Sequence, residues 1–139
     1  MKIGFTGTKK SMTPKQKKVF TFLISGKSGE FHHGDCIGAD AEAHDIIKKE
    51  DISIHIHPPE KNDHRAYKKG SAKMWEKRDY LARNKDIVEA TEILIATPKG
   101  NEVLRSGTWA TIRYAKKNDK IIYIIMPDGN VIYQGDKDD

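Results

Sequence analysis

With 139 residues, 32% charged and 37% hydrophobic, the chain fits one globular domain that can bury a core without disulfides or a structural metal. No apolar run reaches membrane-spanning length, and a lone cysteine, Cys36, excludes an intrachain disulfide. The formal net charge of +5 favours anionic partners such as nucleotides, nucleic acid or phosphorylated metabolites.

The lysines fall in scattered pairs: Lys9-Lys10, Lys17-Lys18, Lys48-Lys49, Lys68-Lys69 and Lys116-Lys117. Scattered pairs without interleaved aromatics read as solvated helix ends, so nucleic acid is the weaker expectation. Met1 to Phe5 reads directly into a strand, with no secretory h-region. Together with the single cysteine, this gives an expectation of a cytoplasmic protein.

Lys2–Phe5 is the first predicted strand, and it ends in Thr6-Gly7-Thr8. Thr13-Pro14 is a helix start, with Thr as N-cap and Pro at the first helical position. Val19, Phe20, Leu23 and Ile24 then repeat at helical spacing. Phe31–His33 is a second strand, followed by the turn Gly34-Asp35-Cys36-Ile37-Gly38-Ala39-Asp40 and a helix to Lys49. Ile52, Ile54 and Ile56 alternate with Ser53, His55 and His57, which predicts a half-exposed edge strand stopped by Pro58-Pro59.

Residues 60–71 are polar and charged, and read as a long active loop or flap. A third helix is predicted from Ala72 to about Glu89, with Met74, Leu81 and Val88 among its apolar positions. Ile93–Ala96 reads as a buried central strand, 98–107 as a loop, and Thr108–Asn118 as a helix. Ile121–Ile125 is another buried strand, and Val131–Tyr133 follows the Asp128-Gly129 turn as a small antiparallel strand.

Alternating strands and helices predict an α/β fold: one Rossmann-like three-layer sandwich with about five parallel strands and a small C-terminal strand. The domain is expected over residues 1–134, with a polar tail at 135–139. Ligands of such sheets bind beyond the carboxyl ends of the strands. That rim would gather Thr6, Gly7 and Thr8, the Gly34 turn, and Ser106, Gly107 and Thr108. Hydroxyls and open amides at helix N-termini suit a phosphate, and Gly34 and Gly38 let backbone approach it. The competing reading is that these residues only form turns.

Asp35 is a candidate for a ribose hydroxyl contact or, as the one catalytic candidate, for orienting a water. Asp40 offers the same contact or caps the second helix. Arg83 either pairs with a phosphate or makes a helix-surface ion pair with Asp79 or Asp86. Arg113 is a second anion contact or a surface arginine. Trp109 stacks on a base or joins the core. His55 and His57 share a face without an evident partner at metal-ligand spacing, so neither a metal site nor a cofactor is expected.

Gly4-Phe5-Thr6-Gly7-Thr8, Gly34 to Asp40, Arg83-Asn84 and Ser106-Gly107-Thr108 occur in an order that resembles the SLOG superfamily. That group holds DprA-like recombination mediators, LOG phosphoribohydrolases and YspA-like proteins, and the YspA-like branch looks nearest. The resemblance covers about residues 3 to 126. It implies a Rossmann-like domain for a nucleotide or ADP-ribose-like ligand, with Arg83 and Asn84 in the site and a homodimer or higher oligomer. LOG enzymes carry a glutamate where this chain has Thr111, so binding, as a sensor or sequestering protein, is expected ahead of N-glycosidase activity. DprA-like single-stranded DNA binding is third.

Overall fold

The computed structural model describes residues 1–135; the expected polar tail lies, apart from Gly135, outside the described residues. The elements are β1 (Lys2–Gly7), α1 (Pro14–Ile24), β2 (Gly29–His33), α2 (Ala39–Ile47), β3 (Ile52–Ile56), β4 (Lys73–Met74), α3 (Tyr80–Ala90), β5 (Ile93–Thr97), α4 (Gly107–Lys117), β6 (Ile121–Ile125) and β7 (Val131–Gln134). They form a seven-stranded sheet in the order β4-β3-β2-β1-β5-β6-β7. Every pairing is parallel except β6 with β7. The expected α/β sandwich is the observed one. The strand order turns back between β1 and β5, which is where such sheets open a crevice.

Each face has its own core. On one, α1 and α2 cover Ile3, Phe5, Phe31, Ile54 and Ile95. Phe5, Phe20 and Phe31 pack there with ring centroids 5.3 to 5.8 Å apart. On the other, Val88 of α3 and Ile112 of α4 pack with Leu94, Ile122 and Ile124. Central parallel strands are buried on both sides, so their sequences read as near-continuous apolar runs.

The first helix starts as its sequence predicts. Thr13 and Gln16 form a capping box, with Pro14 at the first position. Gln16 Nε2 also donates to the carbonyls of Pro98 and Ile125 at 2.9 Å, which ties α1 to the ends of β5 and β6.

Residues 72–79 depart from the predicted helix. Ala72 and Trp75 donate their amides to Ile54 and Ile56 of β3, so the chain runs alongside β3 as β4. The helix begins only where Asp79 caps it, accepting the Ala82 amide at 2.8 Å. β3 is therefore not the edge. Met74 lies exposed on β4, Leu81 is exposed on α3 and Val88 is buried, so these three do not form one helical face.

Candidate functional site

A cavity of about 770 Å³ opens at the carboxyl ends of β1, β2 and β5. Thr6, Gly7 and Thr8 form one wall, and Gly34 and Asp40 a second. Arg83 and Asn84 reach it from α3, and Ser106, Gly107 and Thr108 from the start of α4. Segments from four parts of the sequence thus meet in one place.

The α4 end is built for an anion. Ser106 Oγ caps the helix by accepting the Trp109 amide at 3.2 Å. The amides of Gly107 and Thr108, the first two of the helix, carry the positive end of its dipole at the cavity wall. Lys9, Lys10, Lys99 and Arg105 add cationic side chains to the lining, and Arg83 makes a fifth. Asp40 is the one carboxylate among the lining residues. Tyr80 supplies aromatic surface, whereas Trp109, of the two readings open to it, joins the core beneath α4, with its Nε1–H donating to Gly100 O at 3.1 Å.

Arg83 is held by the protein itself. Its Nη1 donates to the carbonyls of Gly34 at 2.6 Å and His57 at 3.1 Å, and its Nε donates to Asn84 Oδ1 at 2.7 Å. Its guanidinium is buried, and the alternative of a surface ion pair with Asp79 or Asp86 is not what forms. Asp79 caps α3, and Asp86 pairs with Arg78. Arg83 is a fixed charge at the cavity floor.

Asp40 does not cap α2, whose N-cap is Gly38. Its Oδ2 accepts the amides of Gly34 and Cys36 at 3.2 and 3.1 Å, and so closes the turn on itself. Burial pushes its pKa up to about 6, against the pull of the neighbouring Arg83 charge. Cys36 also lines the cavity, and burial raises its thiol pKa, so it is not an activated nucleophile.

Three sequence candidates lie outside the lining. Asp35, the catalytic candidate, is fully buried with φ 57° and faces the 60–71 segment. Its carboxylate accepts Arg65 Nε and the Lys68 amide, both at 3.0 Å. Gly38 has φ 84°, and a Cβ there would sit 2.2 Å from Lys9 O, so it serves backbone packing. Arg113 pairs with Glu102 at 2.8 Å and lines a separate groove between α3 and α4. Thr111 donates its hydroxyl to Gly107 O within its own helix.

Residues 60–71 do not form a flap over the cavity. They are stitched to the outer side of the Gly34 turn through Ile37 N to His64 O at 2.9 Å and Ala66 N to Asp35 O at 2.7 Å. Beneath the turn runs a chain of neutral imidazoles. The Asp35 amide donates to His33 Nδ1, His33 Nε2 meets His44 Nδ1, and His44 Nε2 meets Lys69 O, all within 2.8 to 2.9 Å. The carbonyl at one end and the amide at the other assign the proton to Nε2 on both rings.

Lys9, Lys10, Lys99, Arg105 and Tyr80 were not singled out by sequence. The signal for the first pair was their place directly after Thr8, at the end of the first strand. Lys99, Arg105 and Tyr80 sit in irregular or helix-start segments, whose path no periodicity defines.

No family model matches the sequence, and no curated protein matches it. The molybdenum cofactor binding protein from the phototrophic bacterium Rippkaea orientalis has a similar structure, with TM-score 0.69 and 20% identity, covering 90% of this chain and 76% of that one. The X-ray structure of TM1055, a structural genomics target, matches with TM-score 0.65 and 15% identity, covering 87% and 71%. Among the described residues no helix is long and apolar enough to cross a membrane. At these identities the likeness is one of fold, and that fold is the Rossmann-like α/β sandwich.

Proposed function

We propose that the cavity binds a phosphorylated ribonucleoside or ADP-ribose-like ligand, as part of a sensing or sequestering role. The observation that carries this reading is the pairing, in one cavity, of the α4 N-terminus with five cationic side chains against a single carboxylate. Open amides and cations answer a phosphate. Tyr80 answers a flat base. Asp40 answers ribose hydroxyls, as the one carboxylate among the lining residues. The motif resemblance to the SLOG superfamily points the same way.

Calorimetry of the purified chain against nucleoside monophosphates, NAD, ADP-ribose and cyclic ADP-ribose tests the reading. The molybdenum cofactor belongs in the same panel, because the Rippkaea orientalis protein binds it by name. Tight, saturable binding by one of them, lost in Lys9→Ala/Arg105→Ala, supports it. Binding of a single-stranded oligonucleotide alone defeats it.

One observation favours a second reading, cleavage of an N-glycosidic bond. Asp40 is a carboxylate in the cavity whose pKa, near 6, suits a general base. This role belongs to Asp40 because the Asp35 carboxylate is occupied by Arg65 and Lys68. Release of free base from a nucleoside 5′-monophosphate, abolished by Asp40→Asn, would establish it.

A further inference from the structure

A second cluster of chemistry lies on the sheet, apart from the cavity. Glu30 and His32 are two residues apart on β2 and so share a face. The β2–β3 register pairs His32 directly with His55, and His57 follows two residues later on the same side. Phe31, between Glu30 and His32, points into the α1–α2 core, so this is the opposite face. Sequence spacing within one strand does not show this partnership, because the register supplies it.

We propose that Glu30, His32 and His55 form a binding site for a divalent transition metal of the zinc class. One oxygen or nitrogen from each lies within 4.8 Å of the other two. Glu30 Oε1 stands 2.9 Å from His32 Nε2 and 3.9 Å from His55 Nε2. Ligand atoms of a tetrahedral zinc ion, at bonds of about 2.0–2.1 Å, are separated by about 3.3 Å. The observed separations bracket that value, so small rotamer shifts suffice.

The surroundings suit the same ion. His32 is buried, while the Glu30 side chain is about a third exposed, which leaves a way in. A neutral imidazole offers one nitrogen lone pair, and a carboxylate an anionic oxygen, the donor types that zinc takes. Behind His32, Nδ1 lies 2.7 Å from His57 Nε2. A metal-bound imidazole donates its other N–H to such a partner, which fixes the ring and strengthens the ligand. His57 is itself fixed by stacking on Trp75, with centroids 4.5 Å apart.

Trp75 makes the site self-reporting. Its Nε1–H donates to His55 Nδ1 at 3.1 Å. Indole nitrogen only donates, so the proton of neutral His55 sits on Nε2. A metal at Nε2 displaces that proton, and the ring stays neutral by taking one at Nδ1. Two donors then face each other, and Trp75 must release His55. Metal binding therefore changes the surroundings of Trp75.

The test is a titration of the tag-free chain with Zn²⁺, followed by calorimetry and, in Trp109→Phe, by Trp75 emission. Co²⁺ serves as a probe through the visible absorption of tetrahedral sites. The expected result is a single Zn²⁺ per chain with a shift in Trp75 emission. His55→Gln and Glu30→Gln should each weaken binding at least about tenfold, as should the supporting variant His57→Gln. Glu30 lies at the open side of the cluster, so Glu30→Gln remains informative if a histidine variant fails to fold. His64→Gln, at an exposed histidine away from the cluster, should bind as wild type. Zn²⁺ affinity unchanged in both Glu30→Gln and His55→Gln overturns the proposal, as does the absence of stoichiometric binding.

Discussion

Arg83 Nη1 donates to Gly34 O at 2.6 Å, and a Cβ on Gly34 would lie 2.5 Å from that same nitrogen. The glycine and the arginine are therefore one device: the missing side chain makes room for the guanidinium, which fixes the turn. Arg83→Ala leaves the Gly34 and His57 carbonyls buried without their donor, at a cost of about 3 kcal/mol. Gly34→Ala drives the guanidinium out of place, at a cost on the order of 1–3 kcal/mol. In an Arg83→Ala background that second cost should shrink, since there is nothing to displace. Urea denaturation of the four-member cycle measures the coupling; strict additivity would mean that the pair is not linked.

The buried imidazoles predict acid sensitivity. Burial holds His57 near a pKa of 3 and His33 well below its ordinary value. Above pH 6.5 both are neutral whether folded or unfolded, so their contribution to stability is fully present. As pH falls below about 6.5, the unfolded chain takes up protons that the folded chain refuses, and stability drops. The loss from His57 alone is on the order of a few kcal/mol by about pH 4. Denaturation midpoints at about pH 8 and pH 5 should differ clearly, and His57→Gln should reduce the difference. Equal midpoints would count against the neutral cluster.

Asp40 carries the opposite sign. Its folded pKa, near 6, lies above the ordinary 3.8. Between those values the folded chain holds a proton that the unfolded chain has lost, so this contribution falls as pH rises toward 6. Asp40→Asn removes the titration. Compared with wild type, the variant should gain up to about 3 kcal/mol between about pH 4 and pH 7. Paired denaturation series across that range read the difference directly, and a flat difference would show that the carboxylate is ordinary.

The strongest sequence signals were local. Thr13-Pro14 set the first helix through side-chain and backbone chemistry within four residues. The three glycine-, serine- and threonine-bearing turns were legible because each comes after a strand in a β/α alternation. The orientation of Asp35 was not, since it depends on Arg65 and Lys68, some thirty residues away. The start of α3 was missed for a related reason. Residues 72–75 have helical composition, but their amides found β3 first, and the Asp79 cap then set the boundary. Likewise His55 lacked a visible partner until register placed His32 across from it.

Gly107 separates ligand approach from stability. A Cβ there meets nothing within 4 Å, and its φ is not in the left-handed region. Gly107→Ala should therefore leave stability within about 0.5 kcal/mol of wild type, or raise it. The added methyl would nonetheless stand at the amide that faces the cavity, and a phosphate drawn to that amide would be held off. Ser106→Ala is the complementary variant, because it removes the hydroxyl that caps α4 and should cost about 1 kcal/mol of stability. Thermal melts and nucleotide calorimetry on both variants separate the effects. A Gly107→Ala protein that melts as wild type but binds more weakly places the anion at the helix end, whereas unchanged affinity would move the phosphate away from α4.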